Sequence, residues 1–373
     1  MSLLPIANPD YQVATAMRLP VERTWLYQPE REWTYSHHPH LAFFNGRYYA
    51  MWSNGRRDED APGQRVLMAT SADFRTWTMP EPLLGSLSGR HGEQVLTAAG
   101  FHQFAGRLVA YIGQYAYRPE FLEHGQRQSG DCGHVGTTLL AMSTRDGIRW
   151  DGPIDLHLPV IPNHGPQATA SGRLIICGNI SFPYTDDPTG LDGWHMSGIY
   201  PPAMAPDIVD DSESFWQVQT MMGWPVGLCE GSYVQTDDGR LQMLLRSNTA
   251  RLWLTESRDD GETWSAPVQT DFSDNATKFH FGRLSDGRFY YVGCPDPEPL
   301  WTRNPLVLSL SEDGRCFHRH FLIADTPYAR RTEGLHKGGD YGYPHSLVHD
   351  DALMIIVSRQ KEAIEVLRVP IPR

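Results

Sequence analysis

The sequence predicts an all-β fold, a six-bladed β-propeller built from repeated four-stranded sheets. Three observations support this prediction. A two-residue hairpin signal recurs six times in 373 residues, each copy precedes a short β-rich run, and no stretch shows a long helical period. The hairpin signals are Asn45-Gly46, Ala105-Gly106, Ser171-Gly172, Asp238-Gly239, Asp286-Gly287 and the degenerate Asp350-Asp351.

The first copy shows the layout expected of one blade. A polar start at 35–38 leads into a strand at 41–44, Asn45-Gly46 turns the chain, and a return strand follows at 48–52. The return strand runs into a charged loop at 53–60. The start of the first strand and the end of the second therefore lie at the same end of the hairpin.

The later copies can be laid on the first. Gaps of roughly 50 to 65 residues separate the turns, as expected for four-stranded blades with insertions. Five or seven blades are the alternatives, both less favoured than six. The lack of amphipathic helices between strands excludes an α/β fold. The return strands are expected at 48–52, 108–112, 174–177, 241–245, 289–292 and 353–357.

A second motif follows the hairpin in several blades. The segment from Ser257 to Trp264 fits the Ser-x-Asp-x-Gly-x-Thr-Trp pattern known as an Asp-box. Weaker copies occupy 143–150, with Arg145 where Asp is expected, 71–77 and 311–317. Serine and aspartate side chains in such a turn bond local amides, glycine supplies positive φ and tryptophan packs between blades, so we interpret these motifs as structural.

The whole chain, 1–373, is expected to form one propeller domain with a long ordered insertion at about 181–218. That segment is rich in Pro, Asp and Gly and carries Trp194, Tyr200 and Trp216. Either a rim loop or a partner surface would explain it.

Composition limits the class of protein. A net charge of -12 disfavours a nucleic-acid surface, and no apolar run is long enough to span a membrane. The five cysteines, at 132, 177, 229, 294 and 316, show no metal-ligand spacing and are expected to be free thiols in a reducing compartment. Without a visible signal peptide, the expected location is the cytoplasm.

A propeller gathers one end of every inner hairpin around a central funnel, so ligand-binding residues are expected just before the first strand and just after the second. Those positions are rich in histidine, tyrosine, arginine and carboxylates. They include His37, His38, Arg56, Asp58, His91, Glu93, Tyr115, Tyr117, Arg118, His164, Asn179, Glu230, Arg246, Asn248, Lys278, His280, Asp296, Arg303, Tyr343, His345 and Arg359.

With its Asp-boxes and blade count, the chain resembles the sialidase superfamily over most of its length, and best in its second half. The segment from Glu230 to Arg246 is similar to the family segment with a catalytic Glu and an Arg of the carboxylate-binding triad. The segment 294–303 resembles the one carrying the last triad arginine, here Arg303, and 342–351 resembles the one with the nucleophilic tyrosine, here Tyr343. Asp58 lies where the family keeps its acid/base aspartate.

Blade one departs from that family. Sialidases start this blade with Arg-Ile-Pro, whose arginine is the first of the triad, whereas this chain has His37-His38-Pro39. Two guanidiniums and an imidazole would make a weaker carboxylate clamp than three forked guanidiniums, which argues against sialic acid. In this respect the chain looks more like the propeller enzymes that act on uronic-acid glycans, such as ulvan lyases and rhamnosyl-glucuronate-cleaving enzymes.

The resemblance implies an enzyme that cleaves a terminal acidic sugar from a small oligosaccharide, and two mechanisms are open. A lyase would neutralise a uronate with Arg246, Arg303 and His164, and transfer protons through His37 or His38 and Tyr115 or Tyr343. In a hydrolase, Tyr343 activated by Glu230 would attack the anomeric centre while Asp58 protonates the leaving group. A true exo-sialidase with a tyrosine nucleophile is a narrower form of the second mechanism. Arg56, His345 and Lys278 complete the expected substrate-binding set.

Two further hypotheses are open. One is a glycan-binding propeller without catalysis, since fold does not imply function. The other is a zinc site built from the 16 histidines, but His37, His38 and His40 alternate across one strand and cannot all converge. The sequence therefore predicts neither a metal nor a cofactor.

Overall fold

A computed structural model describes residues 6–128 and 133–373, so that Cys132 lies outside the described residues. The chain is nearly all β-structure and forms a six-bladed propeller, as the sequence predicts. In blades one, two and four, strands pair antiparallel with their chain neighbours in a four-stranded sheet. Blade one comprises Tyr35–Phe44, Arg47–Gly55, Arg65–Ser71 and Glu81–Leu84; blade two, Val95–Phe104, Arg107–Tyr117, His134–Thr144 and Asp151–Asp155; blade four, Cys229–Gln235, Leu241–Arg246, Arg251–Ser257 and Val268–Ser273.

The other three blades vary this plan. Blade three has three strands, and blades five and six each add a strand from the N-terminal part of the chain. Blade three comprises His164–Ala168, Leu174–Cys177 and Tyr184–Thr185; blade five, His280–Arg283, Phe289–Gly293, Leu306–Ser311, Arg319–Ala324 and the parallel Met17–Arg18; blade six, Gly342–His349, Ala352–Arg359, Ala363–Pro370 and Glu22–Tyr27.

The strand Glu22–Tyr27 closes the ring because it pairs antiparallel with Ala363–Pro370, the last strand of the chain. The Arg23 guanidinium reinforces this pairing by donating to the Glu365 carboxylate at 2.7 and 3.0 Å. Early and late segments thus share one sheet, which fixes blade six against blade one.

The core lies between blades, where each sheet packs face to face on the next. Leu306 and Leu308 of blade five pack with Ile355 and Val357 of blade six, all fully buried. Because the inner sheets have a neighbour on both faces, return strands such as Ala352–Arg359 are buried along their length rather than on alternate residues.

Three of the six predicted hairpin turns have two successive residues at positive φ, whereas in Ser171-Gly172, Asp238-Gly239 and Asp286-Gly287 only the glycine has it. Asn45 and Gly46 both have positive φ, 48° and 73°, as a type I′ turn requires. Ala105 and Gly106 repeat the pattern at 47° and 70°. The degenerate copy, Asp350-Asp351, also has two positive φ values, so the sixth turn keeps the geometry without a glycine.

The second motif also closes its turns through side chains. In blade four the Ser257 hydroxyl accepts from the Gly261 N–H, and Asp259 accepts from the Thr263 N–H at 2.9 Å. In blade two the register expected from Ser143 and Arg145 is wrong. Thr144 and Asp146 take the serine and aspartate positions, with Asp146 accepting from two backbone N–H groups, so the motif begins one residue later.

The predicted insertion is divided between two roles. Bridges from Ser181 to Gly198 and from Tyr184 to His195 attach its first part to the edge of blade three. Its second part holds a 3₁₀ turn, Pro202–Asp207, and the α-helix Ser212–Met222. Asp211 caps the helix by accepting from the Ser214 N–H at 2.9 Å, and Gly223 ends it at a φ of 80°.

The remaining described elements are short. They are the strand pairs Ser88–Gly89 with Gly92–Glu93 and Leu122–Glu123 with Gln126–Arg127, and a 3₁₀ turn at Pro119–Phe121. Across the described ranges, no helix has the length and apolarity that crossing a membrane requires.

Candidate active site

Residues at or beside the inner strands of all six blades line one cavity of about 430 Å³. Its lining combines both signs of charge with aromatic rings, an arrangement suited to a polar ligand that has a charged group. The charged side chains that line it are Glu59, Asp60, Asp210, Asp211, Glu230, Arg246, Arg303 and Lys361.

Three innermost strands carry a β-bulge where they start, and each bulge places a side chain at the cavity. The register shifts between His37 and His40, between Cys229 and Ser232, and between Gly342 and His345. The residue inside each bulge has a left-handed backbone: His38 at 52°, Glu230 at 54° and Tyr343 at 52°. Positive φ is rare outside glycine, and such strain clusters at functional sites because the surrounding structure must hold it.

Tyr343, Glu230 and Arg246 form one hydrogen-bonded chain across the cavity floor. The Tyr343 hydroxyl donates to one oxygen of the Glu230 carboxylate, and Arg246 donates to the other at 2.5 Å. Arg246 also lies 3.3 Å from the Tyr343 hydroxyl oxygen. A phenol that donates to an ionised carboxylate is arranged to lose its proton as it attacks an electrophile.

Burial and neighbouring charges determine which of Glu230 and Tyr343 carries a proton in this hydrogen-bonded network. Burial alone would raise the pKa of Glu230, but the Arg246 charge and the Tyr343 hydrogen bond hold it below its ordinary value. Burial and the Glu230 charge raise the pKa of Tyr343 well above its ordinary value. The resting state is therefore a neutral phenol beside a carboxylate, which can act as its general base.

Arg303 supplies a positive charge without a carboxylate partner among the described residues. Its guanidinium lies 5.3 Å from the Tyr343 ring centre, its side chain is largely buried, and its Nη1 has no hydrogen-bond partner there. The Asn275 side chain accepts from the Arg303 N–H at 2.6 Å, which fixes the base of the side chain. A buried guanidinium with unused donors in a ligand cavity is suited to an anionic group of the ligand.

A second group of charges lies at the blade one side of the cavity. The Lys361 ammonium donates to Glu59 at 2.5 Å, and Glu59 also lies 3.7 Å from His37 and 3.8 Å from His38. Burial would raise the pKa of Glu59, but the Lys361 charge holds it well below its ordinary value. Burial lowers the pKa of His38 to about 4, so this ring is neutral at physiological pH.

The insertion forms one rim of the cavity. Its helix contributes Phe215 and Trp216, and the Trp216 side chain is half exposed. Trp301 from blade five is also half exposed and has the Arg246 guanidinium 5.3 Å from its ring. Of the two explanations that the sequence left open for the insertion, the structure favours the rim.

Eight of the residues selected from the sequence line the cavity: His38, Tyr115, Asn179, Glu230, Arg246, Asn248, Arg303 and Tyr343. Tyr115 is almost fully buried and packs on His134, with ring centres 4.3 Å apart. His37 lies beneath the wall, where its Nδ1 is 2.6 Å from the Ser358 hydroxyl and its ring is 4.0 Å from that of Tyr343.

Asp58 does not lie where the sequence places it. Its carboxylate accepts from the backbone N–H groups of Leu335 and His336, and it borders a separate depression. Both oxygens of Asp58 accept hydrogen bonds from the neighbouring loop, so this residue is not positioned to act as the acid/base group in the cavity. The residues of its own loop that line the cavity are Glu59 and Asp60.

Arg56 also lies outside the cavity lining, because it forms a two-pronged ion pair with Glu93 at 2.8 and 3.1 Å on the rim. Three other predicted binding residues lie beneath the cavity floor. His164 bonds the Phe279 carbonyl at 3.0 Å, and His345 accepts from the Leu41 N–H at 3.2 Å. Lys278 is fully buried, with its ammonium 5.4 Å from the Tyr343 ring centre. Direct contact of these three with a substrate in the cavity is therefore not supported.

Two clusters hold enough ligand atoms to suggest a metal: His37 with His38 and Glu59, and His164 with His280 and His345. In the first, the Lys361 ammonium already occupies the Glu59 carboxylate at 2.5 Å, and a cation would be repelled by it. The second lies beneath the floor, outside the cavity lining.

Four lining residues are not among the candidates chosen from the sequence: Glu59, Asp60, Lys361 and Asp210. Glu59 and Asp60 belong to the segment 56–60 in which the family's acid/base aspartate is expected, but Asp58 is chosen for that role. Lys361 lies in the turn between the blade six strands Ala352–Arg359 and Ala363–Pro370, and its backbone is left-handed at a φ of 56°. Asp210 comes from the insertion, where no repeat marks it, and its carboxylate accepts from the Asn179 and Ile180 N–H groups at 2.7 and 3.0 Å. Burial raises the pKa of Asp210 to about 7.

Comparison with known proteins shows similarity in sequence pattern and in fold. A family model described as "BNR repeat-like domain" matches residues 46–356. A search of curated proteins found no match.

Solved structures with the same fold include sialidases. One described as "Sialidase" superimposes with a TM-score of 0.65 at 20% identity, covering 98% of this chain and 34% of that one. Trypanosoma rangeli sialidase in complex with sialic acid gives 0.63 at 13% identity, covering 95% and 60%. A Dyadobacter fermentans protein of unknown function gives 0.62 at 18%, covering 94% and 99%. The chain therefore spans about a third of the length of the first sialidase and about three fifths of the length of the Trypanosoma rangeli enzyme.

Proposed function

The chain belongs to the BNR repeat-like domain family, and from that premise we propose that it is a glycoside hydrolase that removes a terminal acidic sugar from an oligosaccharide. The observation that carries this proposal is that one cavity holds two features. They are the hydrogen-bonded network of Tyr343, Glu230 and Arg246, and the Arg303 guanidinium, whose Nη1 has no hydrogen-bond partner among the described residues. The first supplies a nucleophile with its base, and the second supplies a site for the carboxylate of the sugar.

In the proposed mechanism, Tyr343 attacks the anomeric carbon and its proton passes to Glu230. A neutral phenol approaches a carboxylate-bearing sugar with less repulsion than a carboxylate nucleophile would, and tyrosine nucleophiles are the recognised exception to paired carboxylates. Arg246 keeps Glu230 ionised and compensates the charge as the phenolic proton moves. Water then attacks the anomeric carbon and gives a proton to the carboxylate that had protonated the leaving oxygen, while the bond to Tyr343 breaks and Glu230 returns its proton to the phenolate.

The leaving oxygen requires a proton donor, and we assign Asp60 to this role in place of Asp58. Asp60 lines the cavity in the same loop, whereas Lys361 holds Glu59 ionised and therefore unsuited to donate a proton at neutral pH. Asp210 is the competing donor because it belongs to the cavity lining and burial raises its pKa to about 7, but both its oxygens accept backbone N–H groups, so we place it second.

The substrate class follows from the cations. Arg303 has unused donors, and Arg246 and Lys361 lie in the same lining but are paired with Glu230 and Glu59. Arg303 alone offers a carboxylate fewer hydrogen-bond donors than the three arginines of a sialidase would. This favours a uronate or a related acidic sugar over sialic acid as the substrate. The half-exposed Trp216 and Trp301 rings at the rim are placed to stack on the rest of the oligosaccharide.

Elimination is the second candidate, and one observation favours it. The neutral His38 ring lies 5.3 Å from the Tyr343 ring, so an imidazole base and a phenol acid share the cavity that holds Arg303. A lyase of this type would give an unsaturated product that absorbs in the ultraviolet.

The proposal is tested by incubating the protein with a panel of uronate-capped and sialate-capped oligosaccharides, with mass and ultraviolet readout. Hydrolysis adds one water to the products and gives no absorbance, whereas elimination adds none and gives absorbance. Oligosaccharide binding without any product over long incubation would instead favour a non-catalytic glycan-binding propeller and would overturn the proposal.

A further inference from the structure

A second cluster of polar side chains lies beneath the cavity floor, among the innermost strands. Four histidines from four blades meet there: His40, His164, His280 and His345. The His280 ring stacks on His164 and His345, with centres 4.9 and 4.7 Å apart, and His40 lies 5.2 Å from His345. One nitrogen from each of His164, His280 and His345 lies within 4.8 Å of the other two.

Hydrogen bonds fix which nitrogen of two rings carries the proton. The Leu41 N–H donates to His345 Nδ1 and the Ser346 N–H donates to His280 Nδ1, each at 3.2 Å. The Ser346 hydroxyl lies 2.7 Å from the same His280 Nδ1 and, beside the backbone N–H, takes the donor role there. A backbone N–H can only donate, so both Nδ1 atoms are unprotonated and, in the neutral rings, each Nε2 carries the hydrogen. Turning either ring over would leave a buried backbone N–H without an acceptor.

These tautomers do not fit a divalent metal. A histidine that binds a metal offers an unprotonated nitrogen and donates its other N–H to an acceptor. His280 and His345 have the reverse arrangement, with Nδ1 accepting and an N–H at Nε2. Only His164, whose Nε2 lies 3.0 Å from the Phe279 carbonyl, has the arrangement of a metal ligand.

Lys278 adds an ammonium to the same region. It is fully buried, and its Nζ has no hydrogen-bond partner among the described residues. Its charge acts on all four rings, since it contributes to the lowered pKa of each of them. The carboxylate that most favours its charge, Glu230, is already bonded to Arg246 and Tyr343. Burial lowers the pKa of Lys278 to about 7, so the side chain is only partly charged near neutral pH, and a bound anion would favour its ammonium form.

We propose that this cluster binds a small monovalent anion such as chloride, held by the N–H groups of His280 and His345 and by the ammonium of Lys278. The His280 and His345 rings stack across blades five and six, and the buried Lys278 ammonium, two residues before His280, has no hydrogen-bonded partner among the described residues. The site is distinct from the cavity, because His280, His345 and Lys278 do not belong to the cavity lining. It would fix the inner strands of neighbouring blades beneath Tyr343.

The direct test is a crystal structure of the protein purified and crystallised with bromide in place of chloride. Anomalous scattering at the bromine edge should show a peak within hydrogen-bond distance of His280 Nε2 and His345 Nε2. Density for an ordered water without an anomalous peak would overturn the proposal, as would X-ray fluorescence from a bound transition metal.

Thermal unfolding gives a second, independent test. A ligand that binds only the folded state raises the melting temperature as its concentration rises. We expect chloride to raise it more than gluconate at equal ionic strength. Lys278→Met and His280→Leu should lose this chloride-specific increment.

The matched control is His320→Leu, because His320 also places its Nδ1 near a serine hydroxyl, that of Ser309 at 2.9 Å, but outside the cluster. It should retain the increment even if its melting temperature is lower. Equal increments in the wild type, the two cluster variants and the control would contradict an anion at this site, whatever the variants do to overall stability.

Discussion

The Tyr343 hydroxyl, from blade six, donates a hydrogen bond to the Glu230 carboxylate, from blade four. Both residues lie inside β-bulges with left-handed backbones, at φ values of 52° and 54°. Two blades that are not neighbours in the ring thus join a potential nucleophile to a potential base. The proposed chemistry depends on this contact.

Replacement of Glu230 tests the base. Glu230→Gln keeps the shape of the side chain but cannot take the phenolic proton, so kcat should fall about 10²- to 10⁴-fold with little change in KM. Steady-state kinetics on the best oligosaccharide of the panel measure this. A variant that loses affinity but keeps kcat would assign Glu230 to binding alone.

The pH profile of the wild type tests the same residue. Arg246 and Tyr343 hold the pKa of Glu230 below its ordinary value. The carboxylate therefore stays ionised, and able to act as a base, at pH values where an ordinary glutamate is already protonated. On the acid side of the profile, we expect kcat/KM to decline only at pH values below the ordinary range of a glutamate. A decline centred near pH 6 to 7 would instead point to another titrating group.

Arg303 is predicted to bind the substrate carboxylate. Arg303→Lys keeps the charge but loses the planar pair of donors, so KM should rise roughly tenfold to a hundredfold, as expected for one charge-assisted hydrogen bond. The control is the carboxyl-reduced substrate, on which both proteins should be equally poor. An equal effect of the substitution on charged and neutral substrates would exclude this role.

Asp60 is predicted to protonate the leaving oxygen. Asp60→Asn should lose about 10²- to 10⁴-fold in rate on a natural linkage and far less on an aryl glycoside, whose phenolate leaves without protonation. Asp58→Asn is the matched control from the same loop and should not show this dependence on the leaving group. If Asp210→Asn shows the dependence and Asp60→Asn does not, the acid is Asp210.

The raised pKa of Asp210 should make the stability of the folded protein depend on pH. Its folded pKa of about 7 lies above the unfolded value of about 3.9, so between these values the folded state keeps a proton that the unfolded state has released. The contribution of this group to stability is therefore complete below pH 4 and is lost as the pH rises to 7. The full difference is about 4 kcal/mol at most.

Urea unfolding of Asp210→Asn at pH 4.5 and pH 7.5 measures this effect. Relative to the wild type, the variant should gain stability between the two pH values, because it has no carboxyl to ionise. Asp207→Asn, at an exposed position of the same insertion, should show no such gain. The same change in both variants would contradict the assignment to Asp210.

The sequence predicted the fold because the signals that define it are local. Asn45-Gly46 and its later copies set hairpin turns, and the apolar runs after them form the return strands. Repetition added what single motifs lack, since six copies define both the architecture and the end of each blade that faces the funnel. His38, Glu230, Arg246, Arg303 and Tyr343 therefore line one cavity, as expected from their positions at the hairpin ends opposite these turns.

The sequence did not predict which residues of a charged loop face inward. Asp58, Glu59 and Asp60 are consecutive, and the choice among them depends on a distant loop, whose Leu335 and His336 N–H groups bind Asp58. Lys278 and His345 were expected to contact substrate but lie beneath the floor. Contacts with residues far along the chain decide these positions, and no local pattern encodes them.

The most direct test of the central claim compares the wild type with Tyr343→Phe on the best acidic oligosaccharide, in water enriched in oxygen-18. We expect the wild type to release the acidic sugar with one oxygen-18 at its anomeric carbon and without ultraviolet absorbance. Tyr343→Phe should bind the oligosaccharide with similar affinity but release no sugar. Turnover by Tyr343→Phe at the wild-type rate, or a product that contains no water oxygen, would contradict the account.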